Sequence, residues 1–289
     1  MWPSPRISVL LIVAVACSYR GAVDNPASYL LCGTPRTGST FLCGLLSSTG
    51  LAGNPESYFR EPDLTTWARR LGMPTLGHDP FDYQDFAARV RHVGSTPNGV
   101  FAARIMWGSL QHMIAGLAPE RLGSTDLDVL FDTFGPLNIV HIRRDNVIAQ
   151  AVSWARAEQT GYWQAGDSSQ TKPVLDLDQV DSLVHTINDH NAAWISWFHE
   201  QGAHPYVVTY EELVADPGQT VEGILAHLNL VPLPGWRPSP PHTKQADAVN
   251  LDWIRRYLAE REDLPPPYQQ PRSRPQTASS LSWRLSGLA

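Results

Sequence analysis

No block of basic residues runs anywhere along this 289-residue chain, and acidic side chains outnumber basic ones 28 to 22. A net charge of −6 argues against nucleic acid as a bulk partner, because a phosphate backbone is held by clustered cations. The three cysteines, Cys17, Cys32 and Cys43, form no CxxC pair, and the ten histidines include no HExxH. No Cys/His cluster has ligand spacing, so nothing argues for zinc, and no metal is expected. His185 and His190 are five apart on a helical segment and face different ways. No internal repeat is visible. The apolar run from Ile7 to Cys17 is too short to span a bilayer, which argues against stable membrane insertion. Two readings of that run stay open. It resembles a signal-peptide h-region with Ala14-Val15-Ala16 as the cleavage site, or it belongs to an over-extended reading frame whose start lies near Val23.

What is present describes a globular protein: 43% apolar and 17% charged residues, with length enough for one large domain plus tails. The expected layout is an apolar extension over 1–24, a folded domain over 25–262 and a disordered Pro-, Ser- and Arg-rich tail over 263–289. Cys32 and Cys43 read as small buried hydrophobes of a reducing compartment. The ten tryptophans serve as core residues or as platforms for sugar rings.

Short apolar runs predict strands over 27–32, Gly99–Trp107, Leu137–Ile142 and Tyr206–Tyr210. Helices are expected over 39–48, Asp145–Gly161, Asp178–Gly202, Asp216–Leu230 and 250–262, with Leu183, Ile187, Asn191, Trp194 and Phe198 on one stripe. The stretch Asn54–Asp85 reads as irregular and as the lining of a cleft. Strands alternating with helices give an α/β fold, a P-loop-like parallel sheet flanked by helices.

The segment Gly33-Thr34-Pro35-Arg36-Thr37-Gly38-Ser39-Thr40 joins the first strand to the first helix. That layout aims backbone N–H groups and a helix N-terminus at an anion. Position 39, where a Walker loop needs Lys, is Ser, and the loop's only cation is Arg36. The departure argues against an ATPase or GTPase and suits a sulfuryl donor whose phosphosulfate sits in the loop. There Arg36 would stabilise the leaving phosphate, while the amides of Thr37–Thr40 and the Ser39 and Thr40 hydroxyls hold the group. A second constellation, His141-Ile142-Arg143-Arg144-Asp145 followed by Ala151-Val152-Ser153, also follows a strand. Arg144 and Ser153 suit a phosphate monoester. The plainer alternative is a capping Arg144 paired with Asp145. Two anion sites on neighbouring strand ends imply a donor with two phosphate groups.

GTPRTGST with the downstream HIRRDNVIAQAVS resembles the sulfotransferases that use 3′-phosphoadenosine 5′-phosphosulfate (PAPS), and more narrowly the bacterial trehalose 2-sulfotransferase family. The resemblance extends through Thr49–Pro55, Thr96–Val100, Arg104–Trp107, Ala151–Thr160, Lys244–Asp247 and Trp253–Tyr257. It implies PAPS as co-substrate, with Gly33 and Arg36–Thr40 at the 5′-phosphosulfate and Arg144 and Ser153 at the 3′-phosphate. It further implies Tyr210 on the adenine side and Lys244 in a closing C-terminal loop. A carbohydrate or glycolipid-headgroup acceptor and a homodimer follow from the same resemblance, and a cytoplasmic location is expected because that donor is made in the cytosol.

One position departs from that family. Its general-base Glu precedes an aromatic pair, and here Ser57 precedes Tyr58-Phe59, with Glu56 one residue earlier. A serine cannot take a proton from a sugar hydroxyl at neutral pH. Three outcomes are open: Glu56 reaches the acceptor, Glu61 serves instead, or PAPS is bound and turned over poorly. For acceptor binding, Arg104, Trp107, Arg156 and Trp163 are the candidates, since Trp and Arg suit sugar stacking and hydroxyl contacts. The rivals are a P-loop kinase, disfavoured by Ser39, and a non-catalytic nucleotide-binding homologue, kept open by Ser57.

Overall fold

The computed structural model describes residues 28–73, 82–120, 123–163, 172–232, 235–237 and 248–261. The expected N-terminal extension, C-terminal tail and Lys244 lie outside them. Strands β1 (Ser28–Gly33), β2 (Ala102–Met106), β3 (Leu137–Arg143) and β4 (Tyr206–Thr209) form one wholly parallel sheet in the order β2-β1-β3-β4. Central β1 is buried along its whole length, with Gly33 level with Met106 on β2 and Ile142 on β3.

Period-two alternation splits the strands between two cores. Leu30, Cys32, Ala103, Ile105 and Ile139 face one, packed by α3 (Tyr83–Val93), α4 (Trp107–Leu117), α5 (Asp126–Phe134) and α7 (Leu177–Glu200). Tyr29, Leu31, Ala102, Val140, Ile142 and Val208 face the other, against α1 (Ser39–Ser48) and α9 (Pro217–His227). A third cluster joins α6 (Val147–Thr160), α7 and α10 (Ala248–Glu260).

The expected α/β architecture is present, with differences in its elements. Asn54–Asp85 is not irregular throughout: it holds a 3₁₀ turn (Glu61–Asp63), α2 (Leu64–Arg70) and the start of α3. Pro62 at the head of the turn and Asp82, which accepts from the N–H groups of Gln84 and Asp85, set these starts. Trp107 does not end a strand; β2 stops at Met106 and Trp107 opens α4. Tyr210 likewise opens α8 (Tyr210–Ala215), because Thr209 and Glu212 form a capping box that ends β4.

The chain leaves β1 toward β2 and leaves β3 toward β4. The carboxyl ends of β1 and β3 therefore flank the point where the winding direction reverses, and ligands of open parallel sheets bind at such points.

Candidate functional site

Gly33 ends β1 where a Cβ would stand 2.9 Å from the Ile142 carbonyl oxygen of the neighbouring strand. The loop then turns through left-handed conformations at Arg36 (φ 67°) and Gly38 (φ 82°) before α1 begins. Such residues concentrate backbone N–H groups on one concavity.

The loop is braced from inside the protein. Thr37 donates to the Thr34 carbonyl at 3.0 Å, and Thr34 donates to Asn191 Oδ1 at 3.1 Å. Gln150 Nε2 donates to the Pro35 carbonyl at 2.7 Å and Trp194 Nε1 to the Gly33 carbonyl at 2.9 Å. Gln150 and Asn191 carry no obvious chemistry, and sequence reasoning missed their role. The available signal was a polar Asn191 inside an apolar helical stripe.

Arg144 follows β3 directly. Its guanidinium lies 4.3 Å from the centre of the Tyr210 ring, and its Nη1 reaches the Arg36 carbonyl at 3.5 Å. Its Nε is buried without a hydrogen-bond partner. Burial pushes its pKa down, with Tyr210 and Glu211 opposing, yet a guanidinium stays charged in proteins. The capping alternative falls to its neighbour, since Arg143 pairs with Asp145 at 2.8 Å. Ser153 lies within α6, and its Oγ accepts from Arg36 Nε at 3.0 Å. Arg36 Nη1 also donates to the Trp163 carbonyl at 2.6 Å. Tyr210 packs so tightly on the loop that a Cβ at Gly38 would meet its ring carbon at 2.6 Å. The structure thus gathers Gly33, Arg36, Gly38, Arg144, Ser153 and Tyr210 in one place.

Beside the loop lies a cleft of about 440 Å³. Pro35, Arg36, Ser39 and Thr40 form one wall, Glu56, Ser57 and Arg104 the floor. Arg60, Asp63, Trp67 and Arg70 stand along the 3₁₀ turn and α2, with Gly161 and Trp163 at the remaining edge. Arg104 donates from Nε to Ser57 Oγ at 2.8 Å and from Nη1 to Thr40 Oγ1 at 2.7 Å, linking the floor to the first turn of α1. Its backbone N–H donates to the Glu56 carbonyl at 3.0 Å, which ties the Glu56 segment to the sheet. Arg60 clasps Asp63 through two hydrogen bonds of 2.6 and 3.0 Å. The Arg70 guanidinium sits 5.1 Å from the centre of the Trp67 ring.

Of the expected acceptor residues, Arg104 and Trp163 line this cleft and two do not. Trp107 opens α4 and turns inward to meet Trp194 edge-on at 5.0 Å. Arg156 reaches across to α10, donating to Asn250 Oδ1 at 2.6 Å. Glu61 is outside the lining as well, 3.6 Å from His112 Nε2, whereas Glu56 and Asp63 both face the cleft. Cys32 and Cys43 are buried, and burial pushes the Cys43 thiol up to about 12. Among the described residues no cluster of His, Cys, Asp and Glu is arranged to hold a metal, and no helix is long and apolar enough to cross a membrane.

A wholly parallel sheet, with a glycine-bounded loop and an arginine-bearing strand end at the switch point, defines an α/β protein whose loop lacks the Walker lysine. The family model of the Stf0 sulphotransferases matches residues 28–260, and the chain belongs to that family of sulfotransferases. Trehalose 2-sulfotransferase of Mycolicibacterium smegmatis is 30% identical, covering 84% of this chain and 99% of the relative. Trehalose 2-sulfotransferase of Mycobacterium tuberculosis is also 30% identical, over 80% of this chain and 94% of that one. Among solved structures, a sulfotransferase from Alicyclobacillus acidocaldarius aligns over 81% of this chain and 95% of its own, at 14% identity and a TM-score of 0.40.

Proposed function

We propose that this sulfotransferase moves a sulfuryl group from PAPS to the hydroxyl of a carbohydrate. The observation that carries the reading is the chain of contacts from Arg144 through the Arg36 carbonyl and from the Arg36 guanidinium to Ser153, which brings two arginines from neighbouring strand ends together at one switch point. A donor with a phosphosulfate at one end and a phosphate monoester at the other matches that pair. Arg36 and the loop amides hold the phosphosulfate, and Arg144 with Ser153 takes the 3′-phosphate.

Glu56 is the carboxylate we assign as base. It faces the cleft next to Ser57 and is anchored to β2 by its own carbonyl. In the transfer, Glu56 accepts the acceptor's proton as its oxygen bonds to sulfur. The bond between sulfur and the bridging oxygen breaks, and its electron pair goes to the 5′-phosphate, where Arg36 neutralises the growing charge. A cleft carboxylate supplies what Ser57 lacks, so nothing in the geometry calls for the non-catalytic alternative.

Calorimetric titration with 3′-phosphoadenosine 5′-phosphate tests the donor site. Binding to the wild type should weaken about tenfold or more in Arg144→Ala, the worth of a charge-assisted phosphate contact. Absence of binding to folded wild-type protein would sink the reading. Glu56→Gln should keep that binding and lose transfer by about 10²–10⁴-fold.

A further inference from the structure

The carboxylate assigned as base has little of its own to hold it. Glu56 is exposed, and among the described residues no hydrogen bond or ion pair fixes its carboxylate. Its position is therefore set by the backbone that carries it. That backbone lies beside β2, where Glu56 forms a parallel bridge with Ala103 and its carbonyl accepts from the Arg104 N–H.

The Arg104 side chain ties the same segment to the donor side. Alternation along β2 puts Arg104 on the face of Ala102, toward α1. Its Nε reaches the hydroxyl of Ser57, the residue after Glu56, and its Nη1 reaches the hydroxyl of Thr40 in the first turn of α1. The buried Cys43 thiol, one turn further along α1, senses both charges: burial raises its pKa most, Arg104 pulls it down and Glu56 pushes it up. A planar guanidinium holds two partners at a fixed separation, which an ammonium on a flexible stem does not.

We infer that Arg104 is a positioning residue for the transfer, and that through Ser57 and Thr40 it sets the distance between the base segment and the loop after β1. Ser57 then serves as the anchor of Arg104 and not as a proton acceptor. The inference rests on the sulfotransferase reading of the same cleft and adds to it how base and donor are kept in register. Such register matters because a misplacement of about 1 Å costs on the order of 10²-fold in rate.

The test uses the full chain with PAPS and with trehalose as the probe acceptor. Arg104→Gln should lower kcat about 10–100-fold, while the KM for trehalose and the affinity for 3′-phosphoadenosine 5′-phosphate each change less than about threefold. Retained affinity also shows that the variant is folded. Ser57→Ala, the milder change, should lower kcat about three- to tenfold and add nothing to Arg104→Gln, because both remove one bridge. Arg104→Lys keeps the charge without the fork and should not restore kcat. A second arm needs no acceptor: hydrogen exchange at the amides of Ser57 to Phe59 should slow when 3′-phosphoadenosine 5′-phosphate binds the wild type, and should not slow in Arg104→Gln.

A raised KM with unchanged kcat would overturn the inference, since Arg104 would then be an acceptor contact. So would additive losses in the double variant, full activity in Arg104→Lys, or exchange that slows equally in Arg104→Gln or not at all. If the wild type does not turn over trehalose, the exchange arm alone decides. Failure of the donor reading shows separately, as absence of 3′-phosphoadenosine 5′-phosphate binding to folded wild-type protein.

Discussion

Gly38 sits under two constraints that no other residue type meets. Its φ of 82° lies in the left-handed region, and a Cβ there would stand 2.6 Å from the Tyr210 ring that underlies Arg144. Gly38→Ala should cost about 1–3 kcal/mol of stability through strain and overpacking, measured by denaturant unfolding. It should weaken 3′-phosphoadenosine 5′-phosphate binding in the same variant, because the loop and Arg144 shift together. Retained affinity would show that the loop does not depend on this contact. At this scale the sequence was legible where the candidate residues are contiguous: Gly33 to Thr40 and Arg144 to Ser153 are short local motifs, and folding brings the two together. It was silent on Gln150 and Asn191, whose side chains meet the loop only through folding. It could not separate Glu56 from Glu61 either, since a 3₁₀ turn begins at Glu61 and carries its carboxylate toward His112.

Among the elements, α7 does more than cover the sheet. Its buried Asn191 and Trp194 reach Thr34 and Gly33, so the helix fixes the exit of β1. Asn191→Leu should keep α7 packed but leave the buried Thr34 hydroxyl without its acceptor, at a cost of about 1–3 kcal/mol. Binding of 3′-phosphoadenosine 5′-phosphate should fall severalfold, with helix content by circular dichroism unchanged. An unaltered affinity would mean that the brace is not needed for donor binding. The strands and the helices α1, α6, α7 and α9 were legible because apolar runs and periodic stripes bound them. Helices α3, α4 and α5 were not. Aromatic and apolar residues in α3 and α4 pack together with Phe59 and Trp194, and that tertiary burial supports helices which local composition does not announce.

Over the whole molecule, the acid limb of stability has an identifiable contributor. His141 on β3 is 4% exposed, packed against Phe198 at 5.1 Å, with Nε2 lacking a partner. Burial, with Arg143 adding to it, pushes its pKa down from 6.5 to about 4. The unfolded chain therefore binds the extra proton first, and stability falls as pH drops from 6.5 toward 4, then levels for this group. The loss amounts to roughly 3 kcal/mol. Urea unfolding at pH 7 and pH 4.5 should show that decline in the wild type and a shallower one in His141→Phe; identical slopes would refute the assignment. The parallel class of the sheet was readable from alternating strands and helices. The order β2-β1-β3-β4 was not, because no local signal tells a chain on which side of β1 to return.

The two buried thiols turn the central sheet into its own timer. Burial keeps both Cys32 in β1 and Cys43 in α1 protonated at neutral pH, so neither is a nucleophile while the protein is folded. In a Cys17→Ser background, alkylation at either sulfur can proceed only after the surrounding segment has opened. The rate at which an iodoacetamide label appears on each then becomes a clock for local opening of the sheet and of the helix that follows the β1 loop.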